Sequence, residues 1–288
     1  YMDGIIIINK EKGCTSHDIV YKAKKIFNKK VGHTGTLDPN ATGVLPLLVG
    51  KGTEISKYLI NHDKTYEAIL QLGEKKDTAD SEGQTIEEKK ITPEMLEEQN
   101  VKNVLKSFEG KQEQVPPMYS AIKVNGKKLY EYARKGEKIE IKPRKIEIYK
   151  IDLIKIDIEN KTIEFKVECS KGTYIRTLCE NIAEKLETVG YMKELKRSKV
   201  GEFEIEDAIK IQELENEEIK QSNFITLEKY FDKNEKIVLE DAKLKLFLNG
   251  VKLTYNNKDG IYKIYNKNRF IGIGTIKNKL LKRDIIVE

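Results

Sequence analysis

The sequence predicts an α+β fold, a large mixed domain followed by a small β-rich module. Three observations lead there. Apolar patterns of period 2 and period 3.6 are interspersed without a regular βαβ rhythm, so a doubly wound parallel sheet is not expected. An acidic stretch over 202–235 interrupts those patterns. Beyond it, short β-like pieces surround a single helical segment.

The elements follow in chain order. Residues 4–9, GIIIIN, make a short apolar strand. TSHDIVYKAKKIF continues as a helix: Thr15 and Asp18 stand at capping-box spacing, and Ile19, Val20, Ala23, Ile26 and Phe27 form one stripe. The loop GHTGTLDPNATG leads into an apolar strand over 44–49 and a helix near 53–60. KTYEAILQLG alternates, which puts Tyr66, Ala68, Leu70 and Leu72 on one face of a half-buried strand. DTADSEG, residues 77–83, is an acidic, turn-rich loop. Thr92-Pro93 opens a helix as cap and N1 proline, carrying Met95, Leu96, Val104, Leu105 and Phe108. Asn125-Gly126 signals a hairpin after MYSAIKV. Strands near 139–157 and 161–169 pair around 159–161. GTYIRTLCENIAEKL begins a helix striped by Ile175, Leu178, Cys179, Ile182 and Leu186. Past the acidic stretch, β-like pieces at 237–239, 251–254, 260–266, 269–276 and 284–287 accompany a helix at 241–249. The expected division is therefore 1–232 and 233–288. No internal repeat or low-complexity linker is visible.

Composition narrows the class. With 288 residues, 39% hydrophobic and 35% charged, the chain can bury a large core. No run approaches the roughly 18 apolar residues a membrane helix needs. The start, Tyr1-Met2-Asp3, passes directly into a strand without a basic segment or cleavage site, so no signal peptide is expected. Cys14, Cys169 and Cys179 form no C-x-x-C pair, which suits a reducing, cytoplasmic setting rather than a disulfide framework. The net charge of +6 is unevenly spread. Residues 111–150 hold eleven Lys/Arg against five acids, and 263–283 hold seven with none. Residues 202–218 hold eight acids and one lysine, and 74–100 nine acids and four lysines. Such segregation gives surfaces able to attract a polyanion, although a lysine-rich solvated face would read the same way.

Several familiar sites are excluded. VGKGTE departs from the Walker A pattern at Leu45 and Gly52, and no G-x-G-x-x-G follows a strand. His17, His33 and His62 offer no H-x-x-x-H pair, and no serine lies in a G-x-S-x-G elbow. Chemistry without a metal or cofactor is the expectation that remains. Asp38 is the conspicuous carboxylate. Standing before Pro39 it reads by itself as a turn aspartate, while Gly32, Gly35 and Gly43 would also let backbone approach a ligand. A lone carboxylate can act as a nucleophile. His33 alone reads as a structural histidine.

The stretch GHTGTLDPNATGVLP, however, resembles the signature of the TruB family, the bacterial tRNA pseudouridine-55 synthases. Four further blocks match in the same order: NKEKGCTSHDIV (9–20), KTYEAILQLGEKKDTADSEGQ (64–84), QVPPMYSAIKVNGKKLYEYARKG (114–136) and CSKGTYIRTLCENIAEKL (169–186). The basic C-terminal module is similar to a shortened PUA-type RNA-binding domain. The resemblance implies a pseudouridine synthase fold, with a central mixed, largely antiparallel sheet flanked by helices and a small PUA-like β-barrel module. It implies isomerisation of uridine 55 in the TΨC loop of tRNA, with base flipping, an aspartate nucleophile and no cofactor. Residue by residue, it makes Asp38 the nucleophile. It makes Tyr66 the tyrosine that stacks on the base and assists late deprotonation, and Arg176 the cation paired with the catalytic carboxylate. Tyr174 and Leu195 would line the uridine pocket, and His33 would insert into the T-loop. One departure is visible: Glu11 follows Lys10 where the family usually carries proline. The expected partner is the tRNA T-arm, engaged by a monomer without a guide RNA or a membrane. A role as a tRNA-binding or folding chaperone, alongside or instead of catalysis, is the alternative.

Overall fold

The computed structural model describes residues 2–120, 122–137 and 139–287. The chain folds as two compact units. One takes the chain up to Asp38, then Val44–Ile60 and the residues from Glu206 onward; the other takes Pro39–Gly43 and Asn61–Ile205. Mixed, largely antiparallel sheets covered by helices make the fold α+β.

In the second unit the Lys64–Leu72 strand behaves as its alternation demands. It runs antiparallel between Gly190–Val200 and Thr162–Cys169, and Arg144–Asp157 and Gly110–Gln114 extend the order outward. Tyr66, Ala68, Leu70 and Leu72 join one core with Phe165, Val167, Leu178 and Ile182, the last two from the helix Ile175–Lys185. Each such aliphatic or aromatic side chain contributes about 1.5–3 kcal/mol on burial. The predicted stripe of that helix is buried throughout.

Two boundaries differ from expectation for local reasons. The strand expected from 139 begins at Arg144, just after Pro143, which has no N–H to give a ladder. The helix expected from Thr92 is broken at Glu97, whose φ/ψ of −60°/130° are extended, into Pro93–Leu96 and Glu98–Lys106. The reason lies in spacing: Leu96 and Val101 are both buried but stand five residues apart, which no single helix face accommodates. At Asn125-Gly126 both φ values are positive, as a type I′ turn requires, and Lys123–Val124 pairs with Lys127–Lys128. The segment expected before that hairpin includes residue 121, which lies outside the described residues.

In the first unit, Gly4–Lys10 pairs antiparallel with Ile225–Thr226, and Val31–His33 forms a hairpin with the end of Thr42–Val49 through Val31↔Val49 and His33↔Leu47. The helix Ser16–Phe27 carries the predicted capping box and buries Ile19, Val20 and Ala23. The expected helix near 53–60 is instead a 3-10 turn, Gly50–Ile55, followed by one α-turn, Ser56–Leu59. Gly52 abuts the first strand so closely that a Cβ would lie 2.0 Å from the Gly4 carbonyl oxygen. Toward the C-terminus, a five-stranded sheet runs in the order Lys236–Val238, Gly260–Asn266, Arg269–Lys277, Leu280–Ile286, Leu253–Thr254. The helix Asp241–Leu248 packs Leu244 and Phe247 against it, with Ile237, Ile264, Ile271 and Leu281. The last strand begins four residues earlier than expected. Asn278 and Lys279 both take positive φ and turn the chain tightly without the glycine that would have signalled it.

Candidate active site

The glycine-rich loop grows out of the Val31–His33 hairpin, with the Thr34 amide donating to the Pro46 carbonyl at 3.4 Å. Gly35 takes a φ of +67°, a conformation that suits a residue without Cβ. Leu37 then turns inward and is buried. Its amide donates to Ser16 Oγ at 3.0 Å, and the same hydroxyl donates back to its carbonyl at 3.1 Å. Asp38 follows, half-buried. His33, also half-buried, meets the ring of His17 edge-on, with centroids 5.7 Å apart and planes at 79°. Asp38 and His33 thus share one loop, against the first turn of the Ser16–Phe27 helix.

The stretch before that helix is held by Lys10, which is fully buried. Its ammonium donates to the carbonyls of Glu11 at 2.9 Å and Cys14 at 2.7 Å. The Glu11 side chain pairs with Lys210 at 3.4 Å and accepts from Gln212. Glu11 in place of proline is therefore compatible with a tightly closed loop, because its main-chain oxygen and its carboxylate are both used.

In the second unit, Tyr66 and Leu195 lie on neighbouring strands at the registers Tyr66↔Arg197 and Ala68↔Leu195, Tyr66 in the core and Leu195 packed against it. Tyr174 stands at the N-cap of Ile175–Lys185, where the Gln114 side chain clasps it: Oε1 accepts from its amide at 2.7 Å and Nε2 donates to its carbonyl at 3.0 Å. Arg176, in the first turn, is 6% exposed. Its guanidinium donates to the Tyr119 carbonyl at 2.8 Å and the Thr78 carbonyl at 3.4 Å, with Asp80 Oδ2 at 3.9 Å. Asp80 in turn accepts from the Thr78 hydroxyl at 2.6 Å and the Glu82 amide at 3.1 Å. The acidic loop at 77–83 is thus an ordered seat for Arg176 rather than a solvated turn. Tyr66, Tyr174, Arg176 and Leu195 all belong to this unit.

Sequence reading missed Asp80, Gln114 and Arg197. Arg197 is only 1% exposed, and its guanidinium donates to the Tyr66 hydroxyl. Burial lowers its pKa, which the tyrosine partly offsets. The signal was present: Arg197 lies two residues beyond Leu195 on a strand, so both side chains leave on the same face. A basic run, KRSK, masked it as ordinary surface charge. Gly43 also reads differently in the structure. Its φ is +107°, and a Cβ there would lie 2.1 Å from the Arg197 carbonyl, so this glycine serves close backbone packing.

Other groups bear less chemistry. Burial pushes the Cys169 thiol up to about 12 and raises that of Cys179 too, so neither is a ready nucleophile. Among the described residues no cluster of three or more His, Cys, Asp or Glu side chains could hold a metal, and no helix is long and apolar enough to cross a membrane.

Comparison with known proteins gives a consistent picture. Residues 24–175 match the family model of the TruB family pseudouridylate synthase N-terminal domain. Residues 176–238 match that of the tRNA pseudouridylate synthase B C-terminal domain. The chain is 44% identical over 285 residues to the tRNA pseudouridine synthase B of Clostridium kluyveri, covering 96% of each chain. To that of Caldanaerobacter subterraneus subsp. tengcongensis it is 41% identical, covering 98% of each. Among solved structures, the crystal structure of a Cbf5-Nop10-Gar1 complex matches with a TM-score of 0.69 and 25% identity, over all of this chain and 84% of that one. The archaeal box H/ACA sRNP Nop10-Cbf5 complex matches with 0.67 and 23%, over 99% and 86%.

Proposed function

Because the chain belongs to the TruB family of pseudouridylate synthases, we propose that it converts uridine 55 in the TΨC loop of tRNA to pseudouridine, with Asp38 as nucleophile. The enzyme is an isomerase, and bacterial relatives that it matches over 96–98% of both chains carry the name tRNA pseudouridine synthase B. The observation that carries the residue assignment is the loop GHTGTLDP, in which a half-buried Asp38 directly follows a backbone segment tied to a helix.

The reaction breaks the bond between C1′ and N1, rotates the base and forms a bond between C1′ and C5. The C5 proton is lost and N1 gains one, so nothing is oxidised and no group is imported. That balance calls for no redox cofactor. A uridine inside a folded loop must first be flipped out, which a stacking aromatic and an inserting side chain make less unfavourable. We assign stacking and late deprotonation to Tyr66, loop insertion to His33, and pocket walls to Tyr174 and Leu195. Arg176 we assign as the arginine that the family pairs with its catalytic carboxylate. Two main-chain carbonyls and Asp80 hold its guanidinium in one orientation, as that role requires.

The division at 232/233, with a PUA-like module at 233–288, belongs to the same reading. Exposed Lys267, Arg269, Lys277, Lys279, Lys282 and Arg283 of that module would meet tRNA phosphates, with no guide RNA needed. This basic sheet also favours a second role in tRNA binding or refolding beside catalysis. The test is to incubate parent and Asp38→Asn protein with unmodified tRNA and quantify pseudouridine by position. Loss of product at position 55 in the variant is expected. Equal activity, or product elsewhere, would overturn the assignment. Refolding of tRNA by the inactive variant would establish the second role.

A further inference from the structure

Ser16 is the first residue of the Ser16–Phe27 helix, is 1% exposed, and reaches across 21 residues of sequence to both polar groups of Leu37. The consequence follows from peptide planarity. The Leu37 carbonyl lies in the same rigid plane as the Asp38 amide and its Cα. The Leu37 amide lies in the preceding plane. One hydroxyl therefore orients two successive peptide planes, the second of which carries Asp38. From Leu37, buried and tied, the next Cα is 3.8 Å away, so only Asp38's own torsions remain to be chosen.

The helix end that bears Ser16 is itself fixed. Thr15 Oγ1 accepts from the Asp18 amide at 3.0 Å, while Asp18 Oδ2 accepts from the Thr15 amide at 2.8 Å and the Thr15 hydroxyl at 2.7 Å. The bonds within the box hold the Asp18 carboxyl below the usual range. His17, the next residue, sets its ring against His33 at the other end of the loop. The first helical turn thus contacts the loop on both sides of Gly35.

We propose that Ser16 is a positioning residue for the reaction: its hydroxyl holds the Leu37–Asp38 peptide so that the Asp38 carboxylate is presented in its attacking orientation. The proposal rests on the reading of Asp38 as nucleophile. A nucleophile displaced by about an ångström loses about 10- to 100-fold in rate, because proximity and orientation dominate such steps. Binding of tRNA draws on a far wider surface and does not depend on this hydroxyl.

The experiment compares parent, Ser16→Ala, Ser16→Thr and Asp38→Asn in single-turnover and steady-state assays on unmodified tRNA, with melting curves for each. Ser16→Ala is expected to lower kcat about 10- to 100-fold with KM for tRNA nearly unchanged, and Ser16→Thr, which keeps the hydroxyl, to recover most of the loss. Parent-like kcat in Ser16→Ala overturns the proposal. So does a loss of kcat and tRNA binding together that Ser16→Thr fails to rescue, which marks a role in folding alone. Should Ser16→Ala not fold, Ser16→Cys replaces it, since a thiol spans a longer separation; unchanged kcat there is equally fatal. The nucleophile reading is judged separately. Inactive Asp38→Asn beside fully active Ser16→Ala refutes only the positioning role, whereas active Asp38→Asn refutes both.

Discussion

Arg197 and Tyr66 stand directly opposite each other across two antiparallel strands, and the buried guanidinium donates to the phenol oxygen. A cation in that position ties the hydroxyl down and favours negative charge on it. The aromatic ring assigned to the flipped base is therefore neither free to rotate its hydroxyl nor electrically isolated.

Arg197→Met tests this pairing. It conserves much of the volume while removing the donor. Leaving the Tyr66 hydroxyl one partner short destabilises the fold by about 1–3 kcal/mol. The rate of pseudouridine formation should fall as well, and Tyr66→Phe introduced on top should cost less than it does in the parent. The comparison of parent, two single variants and the double variant decides it. Strictly additive losses would show that the two side chains act independently.

A pH dependence is expected from His62. Burial first, then the nearby Lys64 ammonium, pushes its pKa below the ordinary 6.5. The ring packs against the turn at Gly201, where a Cβ would lie 2.2 Å from its Nδ1. The fold favours neutral imidazole, so this contribution is complete above 6.5 and is lost as pH falls through the lower folded value. Melting temperature should drop as pH falls below about 6.5, and His62→Gln should flatten that stretch of the curve. An identical slope in the variant would assign the acid sensitivity to other groups.

Asp284 in the last strand accepts from the Lys57 ammonium and the Tyr58 hydroxyl of the Ser56–Leu59 turn. Burial, then the bond to Asp284, raises the Tyr58 pKa well above its ordinary 10, and its ring meets Phe231 edge-on at 5.4 Å. Asp284→Ala should lower stability by about 1.5–3 kcal/mol, the range for hydrogen bonds to a charged group, with Asp284→Asn between it and the parent. Since the basic sheet is fastened here, KM for tRNA should rise more than kcat falls. An unchanged melting temperature in Asp284→Ala would show that the contact holds nothing.

Local patterns in the sequence determined much of this protein. The capping box at Thr15 and Asp18, the type I′ turn at Asn125-Gly126, the alternation of Tyr66 to Leu72 and the stripe of Ile175–Lys185 all took the form their spacing implied. Each is settled within one or two turns of backbone, where sequence distance and spatial distance coincide. The ordered motif blocks identified the family in the same way, because they too are contiguous strings.

What only the tertiary structure decided are the pairings between distant residues. Leu96 and Val101 could not share a helix face, so packing broke the helix at Glu97. Asp80 became the seat of Arg176, and Gln114 the clasp of Tyr174, across separations of 96 and 60 residues. Ser16 came to hold Leu37, and Arg197 to face Tyr66. Apart from the strand spacing that links Arg197 to Leu195, none of these partners carries a mark of its own in the sequence. A buried hydroxyl, amide or guanidinium has to find a complementary group, and which group it meets depends on strand register and helix placement, which a linear pattern does not encode.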